Sequence, residues 1–358
     1  MKILQFLPED PNSGTSGSDL RNAALSEVLA DMFDVTQVVL AVNNHGVMSD
    51  AADAQNAFDS VADGDLLLFS GPMFAPLMRV AQRRFGAKVF IGCDFHNIES
   101  DLLEQSDRAR FGIFAGPLNQ RRWKRARVLD CEALAIADLA LVCSAADADR
   151  AIALGGRNVV TAPNVVPKWC DKLTASPRCD DTILHPKLLF VGHLGYRPNK
   201  NAVNFIVKKL KPRLPRARVT VAGRRPGKRL SALVTKSGQS LIADPVSLVD
   251  IYRHADIAIM PLFEGGGTRI KALEAFSCGL PVVATAKAVE GLGVVDGKHF
   301  LRAENAEDFE RAIVDLCTDG AKRAALTEAA HHYVQNNFTR KHLKRVVLSA
   351  VQNLHEMR

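Results

Sequence analysis

Residues 261–285 read PLFEGGGTRIKALEAFSCGLPVVAT, an apolar strand end, three glycines, a helix and a second apolar strand. Gly265, Gly266 and Gly267 let a ligand approach the backbone without Cβ clashes, and the unpaired N–H groups of a first helical turn favour an anion. Thr268 has the side chain to cap that helix. Arg269 then falls in the first turn, where the helix dipole disfavours a cation unless something anionic binds nearby. Lys271 and Glu274 lie three apart on another face, either as a solvated pair worth about 0.2–0.5 kcal/mol or as ligand-facing groups. Three further loops gather polar residues behind apolar runs. One spans 11–18 with Gly14 and Gly17 and is followed by Arg21; one spans 94–100 with His96 and Asn97; one spans 192–199 with Gly192, His193, Arg197 and Asn199.

The elements that must hold these loops alternate in kind. KILQFL, VTQVVL, DLLLF, AKVFIG, DLALVCS and NVVTAPN are separated by helical patterns, and KLLFVG, RVTVAG, LIAD, DIAIMPL and PVVAT repeat the arrangement. This is the arithmetic of βαβ units and predicts two doubly wound α/β domains. The stretch from Val165 to Pro186, with Pro167 and Pro177 inside it, reads as their linker. Helices are expected over about 18–32, 117–137 and 199–210 and from Ala306, and a last one from Lys341 with Leu343, Val346, Val347 and Ala350 on one face. That face has to pack on something. In open parallel sheets ligands bind at the carboxyl ends of strands, and all four polar loops fall there, outlining one interdomain cleft. GTSGS lacks the G-x-G-x-x-G spacing and no acidic residue closes VTQVVL, which argues against a nicotinamide cofactor. The same loop also reads as a flexible turn with Ser18 or Asp19 as cap. His96 reads as a hydrogen-bonded structural residue or as an oriented polar group in the cleft, and its place after a strand favours the second.

Length and composition bound the rest. The chain has 358 residues, 47% apolar and 24% charged, which fits two globular domains and excludes wholesale disorder. No 18-residue apolar run is present, and MKILQFLPED reads as a strand and not a signal peptide, so the expected location is cytoplasmic. Seven cysteines form no CxxC pair and show no metal-ligand spacing with the ten histidines, so no metal is expected. The sequon at Asn337 has no export signal to accompany it. A net charge of +7 is uneven: Arg121, Arg122, Lys124, Arg125 and Arg127 surround Trp123, and Lys208, Lys209, Lys211, Arg213, Arg216 and Arg218 form a second run. The Trp123 cluster is either a solvated helix face or a peripheral contact with anionic lipid headgroups. With aromatic residues at 6% and no interleaved stacking platform, nucleic acid is not an expected partner.

The order of these motifs resembles the GT-B glycosyltransferases, and specifically their retaining family 4, over nearly the whole chain. SGTSGSDLR resembles the glycine loop and Arg that open such enzymes, DFHNIES resembles one subgroup's D-x-H-N-x-E-S variant, and SAADADR, APNVV and FVGHLGYRPN fall at the matching intervals. The resemblance implies an acceptor domain over 1–166 completed by a final helix over 340–358, and a nucleotide-sugar donor domain over 167–339. It also implies transfer of a sugar from a nucleotide diphosphate to a glycan, lipid-linked or other hydroxyl acceptor, with retention and without a cofactor. The family carries two glutamates eight positions apart on the donor helix; Glu274 matches the second, while the first position is Gly266 and Glu264 stands two residues earlier. GGGTR-x-K-x-LEA marks a subgroup sharing this departure, in which Glu264 or the glycine amides take over reading the sugar. His193 stands at the position of a usual Arg, Asn199 near that of a usual Lys, and Arg269 and Lys271 would supply the missing charge. His96 would lie beside the donor sugar. An epimerase or phosphorylase of the same fold, and a nucleotide-sugar binding subunit without turnover, are the rival readings.

Overall fold

A computed structural model describes residues 1–10, 17–40, 42–43, 46–47, 52–111, 117–173, 182–266 and 269–356. The chain divides into two compact units, one of Met1–Val165, Gly266–Thr268 and Arg340–Arg358, the other of Val166–Gly265 and Arg269–Thr339.

The first unit is built on six parallel strands, β1 (Lys2–Leu7), β2 (Asp34–Val39), β3 (Leu66–Phe69), β4 (Phe90–Phe95), β5 (Leu139–Val142) and β6 (Val159–Thr161), in the order β2-β1-β3-β4-β5-β6. Their near-continuous apolar runs follow from burial on both faces, as parallel sheets require. Leu67 and Phe69 enter one core with Phe6, Ile91 and Val142, while Leu66 and Leu68 enter another with Ile3, Phe90 and Leu141. The second core is closed by the last helix. Leu343, Val347, Ala350, Val351 and Leu354 of the helix Arg340–Glu356 are buried there against Ala24, Leu25, Val28 and Leu29 of the helix Gly17–Ala30 (α1). Arg340 Nε reaches Glu27 Oε2 at 3.0 Å beside this contact. Each buried leucine or valine contributes about 1.5–3 kcal/mol, so this helix is integral to the unit.

The second unit also has six parallel strands, β7 (Lys187–Val191), β8 (Arg218–Gly223), β9 (Ser240–Ala243), β10 (Ile257–Met260), β11 (Val282–Ala284) and β12 (Leu301–Arg302). Their order is β9-β8-β7-β10-β11-β12. Sequence patterning finds the first five; β12 is only two residues long and has no period to detect. The order reverses between β7 and β10, and such a switch point opens a crevice at the strands' carboxyl ends. The loops 192–199 and 261–269 follow those two strands. Both units therefore have a doubly wound, Rossmann-like architecture.

One boundary differs from expectation. The helix after the glycine triplet, α2 (Ile270–Ser277), begins two residues later than Thr268, with Arg269 at its N-cap and no side-chain cap. Gly14, Gly267 and Thr268 lie outside the described residues.

Candidate functional site

In the second unit, β7 delivers the chain to Gly192, whose N–H donates to the Ala222 carbonyl at 3.1 Å. Lys271 on α2 donates from Nζ to Asn199 Oδ1 at 2.6 Å, and Asn199 Nδ2 donates to the His193 carbonyl at 2.9 Å. A Cβ on Gly192 would stand 2.9 Å from Asn199 Nδ2 and 3.0 Å from Lys271 Nζ, so this glycine makes room for the amide and the ammonium to converge. The neighbouring strand end is tighter: Gly223, at φ +150°, faces Gly192 so closely that a Cβ would fall 1.7 Å from its carbonyl oxygen. Lys271 also lies 5.0 Å above the Phe190 ring. His193 itself is exposed at the lip of this cradle.

Glu274, one turn further along α2, is buried and receives the Tyr252 hydroxyl at 2.9 Å. Lys271 and Glu274 thus turn to Asn199 and to Tyr252. Burial pushes the Glu274 carboxyl up to about 7, against the smaller opposing pull of Tyr252 and Lys271. Burial, and then the nearby Arg269 charge, bring the Lys271 ammonium down to about 7. Burial thus disfavours the charged form of both groups.

Arg269 is buried, with Nη2 donating to the Gly265 carbonyl at 2.7 Å and standing 3.7 Å from Glu290 Oε2. Gly265, at φ +107°, packs where a Cβ would touch the Pro198 ring at 3.3 Å. Glu264 has both oxygens engaged, one by Arg197 and one by Asn201 Nδ2 at 2.6 Å. Two residues expected at the ligand, Arg197 and Glu264, therefore meet each other. Gly266 is half-buried.

In the first unit, Arg21 on α1 is buried against Asp94 at the end of β4, with Nε 2.9 Å and 3.0 Å from its two oxygens. Its Nη1 donates to the Ala162 carbonyl at 2.8 Å and to Asn164 Oδ1 at 3.1 Å. The guanidinium is thus bound inside the unit. Burial opposes charge on Asp94, yet the Arg21 guanidinium overrides it and holds the carboxyl at about 2. His96 Nε2 lies 3.0 Å from Asn22 Oδ1 and 3.3 Å from Asp94 Oδ2, so α1 and β4 together fix the imidazole. Asn97 Oδ1 is enclosed with no hydrogen-bond partner among the described residues. Gly17 is exposed as the first residue of α1. The helix Glu99–Phe111 that follows this loop is anchored by Asp130 Oδ2, which accepts the Ser100 N–H at 2.8 Å.

Asn22 and Tyr252 escaped sequence reasoning as site residues, and Asp94 entered it only as part of the loop 94–100 and the motif DFHNIES. A signal existed for Asp94, a lone carboxylate ending the apolar run FIGCDF. None existed for Tyr252, which meets Glu274 only through the fold.

The helix Pro117–Ile136 carries the Trp123 cluster, with Arg121, Arg122, Lys124 and Arg125 exposed and Trp123 half-buried. Lys124 Nζ stands 5.8 Å from the Trp123 ring centre. No helix among the described residues is long and apolar enough to cross a membrane.

Comparison with known proteins extends this description. The family described as "Glycosyl transferases group 1" matches residues 185–319, a span holding both the Gly192 cradle and α2. Curated protein sequences give no match. Among solved structures, a sucrose-phosphate synthase from Thermosynechococcus elongatus is similar at TM-score 0.72 and 16% identity, over 100% of both chains. HepE from Anabaena, in complex with UDP and glucose, is similar at TM-score 0.69 and 16% identity, over 99% of this chain and 100% of that one. A glycosyltransferase from Rickettsia africae is similar at TM-score 0.67 and 14% identity, over 99% and 98% of the two chains.

Proposed function

We propose that the chain is a retaining glycosyltransferase of family 4 that moves a sugar from a nucleoside diphosphate to a hydroxyl of a glycan or lipid-linked glycan. The observation that carries this reading is the cradle in which Asn199 and Lys271 close over Gly192 while Glu274 sits buried behind them. The match of residues 185–319 to a glycosyltransferase family supports it, as does the likeness to HepE, which was solved with UDP.

On this reading Lys271, Arg269 and the amides of the glycine loop meet the diphosphate, where negative charge grows as the sugar leaves. Preorganised donors of this kind are the largest catalytic term in such departures. Glu274, ionised by contact, accepts hydrogen bonds from two ribose hydroxyls. We assign His96, fixed by Asp94 and Asn22, a role toward the reacting sugar. The acceptor hydroxyl attacks the anomeric carbon from the face the diphosphate leaves, its proton passes to the departing phosphate oxygen, and no side-chain base is required. We place the enzyme in the cytoplasm, with the Trp123 cluster resting on anionic lipid during polysaccharide assembly.

The test is a thermal-shift screen with UDP-, GDP-, dTDP- and ADP-sugars, followed by product analysis for free nucleotide and anomeric configuration. Selective stabilisation and an α-linked product from an α-linked donor are expected. An epimerised donor without free nucleotide would establish the epimerase reading, and stabilisation without turnover on any acceptor the binding-subunit reading. No stabilisation by any nucleotide sugar would remove the proposal.

A further inference from the structure

The basic run beyond Asn204 separates once its contacts are known. Lys211 Nζ donates to the carbonyls of Leu214 at 3.2 Å and Pro215 at 3.0 Å, closing its own turn. Arg213 pairs with Glu307 and Glu310 of the helix Ala306–Thr318. Lys208 and Lys209 are exposed on Ile206–Leu210, a π-helical turn that continues the helix Arg197–Phe205. Turns of this kind are rare and gather at functional sites.

Both lysines line an open cavity of about 830 Å³ inside the second unit, to which Gly192, Lys271 and Glu274 do not contribute. Across it stands Phe263, 47% exposed, its ring edge to face with Phe205 at 5.2 Å. Phe205 is braced in turn by Phe309 at 5.7 Å. Other polar groups of the wall are already engaged. Asn201 holds Glu264 at 2.6 Å, Asn204 donates to the Lys200 carbonyl at 2.8 Å, and Glu304 accepts Ala286 N–H at 3.0 Å and Arg302 at 2.7 Å. Asn305 caps the following helix through Asp308 N–H at 2.9 Å. What faces the cavity for a ligand is an aromatic ring and two ammonium groups, with the wall's Glu307 paired to Arg213.

We propose that this cavity is a second binding site, for an acidic saccharide unit. The electron-rich face of Phe263 attracts the C–H face of a pyranose ring. Lys208 and Lys209 form charge-assisted hydrogen bonds with its carboxylate or phosphate. A neutral sugar leaves both ammonium groups unused, and an inorganic anion leaves the ring uncovered.

The test is calorimetric titration of the full chain with a galacturonic acid trisaccharide, glucose 6-phosphate, maltotriose and inorganic phosphate, with and without UDP. At least one acidic sugar should bind at least tenfold more tightly than maltotriose and phosphate, unaffected by UDP, and the better of the two distinguishes carboxylate from phosphate. Phe263→Ala and the double variant Lys208→Gln, Lys209→Gln should each weaken that binding at least tenfold while cooperative unfolding is retained. No binding of either acidic sugar at millimolar concentration, equal binding of maltotriose or phosphate, competition by UDP, or full binding in either variant would overturn the proposal.

Discussion

Glu274→Gln should make the unliganded protein more stable at pH 8 while weakening its hold on nucleotide. The buried carboxyl titrates near 7 in the folded chain against 4.5 when exposed. A folded value above the unfolded one means that the carboxyl's contribution is fully present below pH 4.5 and is lost as pH rises through 7. At about 1.4 kcal/mol per tenfold change in proton affinity, the whole loss has a ceiling of about 3 kcal/mol, and relaxation around the ion brings it to about 1–3 kcal/mol. Glutamine keeps an oxygen for the Tyr252 hydroxyl but cannot ionise, so it escapes that loss. Lys271, lowered to about 7 from 10.5, has the opposite dependence, gaining stability as pH rises from 7 through 10.5. Because the Glu274 charge raises the Lys271 ammonium, the difference between the two proteins reads the pair together. Scanning calorimetry from pH 5 to 8 should show the two melting temperatures together near pH 5 and the variant ahead by roughly 2–8 °C at pH 8. Whichever nucleotide sugar stabilises the wild type should raise it more than the variant, because ribose hydroxyls favour the carboxylate. Parallel melting curves across this range, or a variant that melts lower at pH 8, would refute the account of Glu274 as an ion buried for a ligand.

Arg269→Ala should cost about 2–3 kcal/mol in kcat/KM for sugar transfer, the scale of losing one donor to a developing oxyanion, and steady-state kinetics checks it. Gly192→Ala should drive Asn199 and Lys271 apart, since its Cβ would stand 2.9 Å and 3.0 Å from them. Nucleotide affinity should fall at least tenfold by calorimetry, with the first unit's melting unchanged. Asp94→Asn strands the Arg21 guanidinium in a buried site and should cost about 3–5 kcal/mol in chemical denaturation. Because Asp94 is lowered to about 2 from 3.8, its contribution is present above pH 3.8 and is lost as pH falls through 2; the gap between wild type and variant should therefore narrow only in strong acid.

The fold was legible because both sheets are buried on two faces, which writes each strand as an apolar run between turn signals. β12 was not, since two residues carry no period. The candidate site announced itself through three consecutive glycines followed by Arg269, Lys271 and Glu274, and the structure adds which partners these three side chains meet. Thr268 has cap chemistry, yet the helix begins at Ile270 with Arg269 at its N-cap, the guanidinium reaching the Gly265 carbonyl. Charged residues were the hardest to place. Arg21 and Arg197 have the same side chain in the same kind of loop-to-helix position as a phosphate ligand, and only tertiary geometry shows that they face Asp94 and Glu264. No spacing rule joins residue 21 to 94 or 197 to 264.

The helix Arg340–Glu356 closes a core whose other walls include Ile3, Leu25 and Leu66. A ribosome that has finished those walls still has the entire second unit to make before this helix emerges. At about 5–20 residues per second that interval lasts on the order of 10–30 s. Throughout it Ala24, Leu25, Val28 and Leu29 of α1 lack the apolar partners that this helix brings. Of the two units, the one begun first is thus completed last.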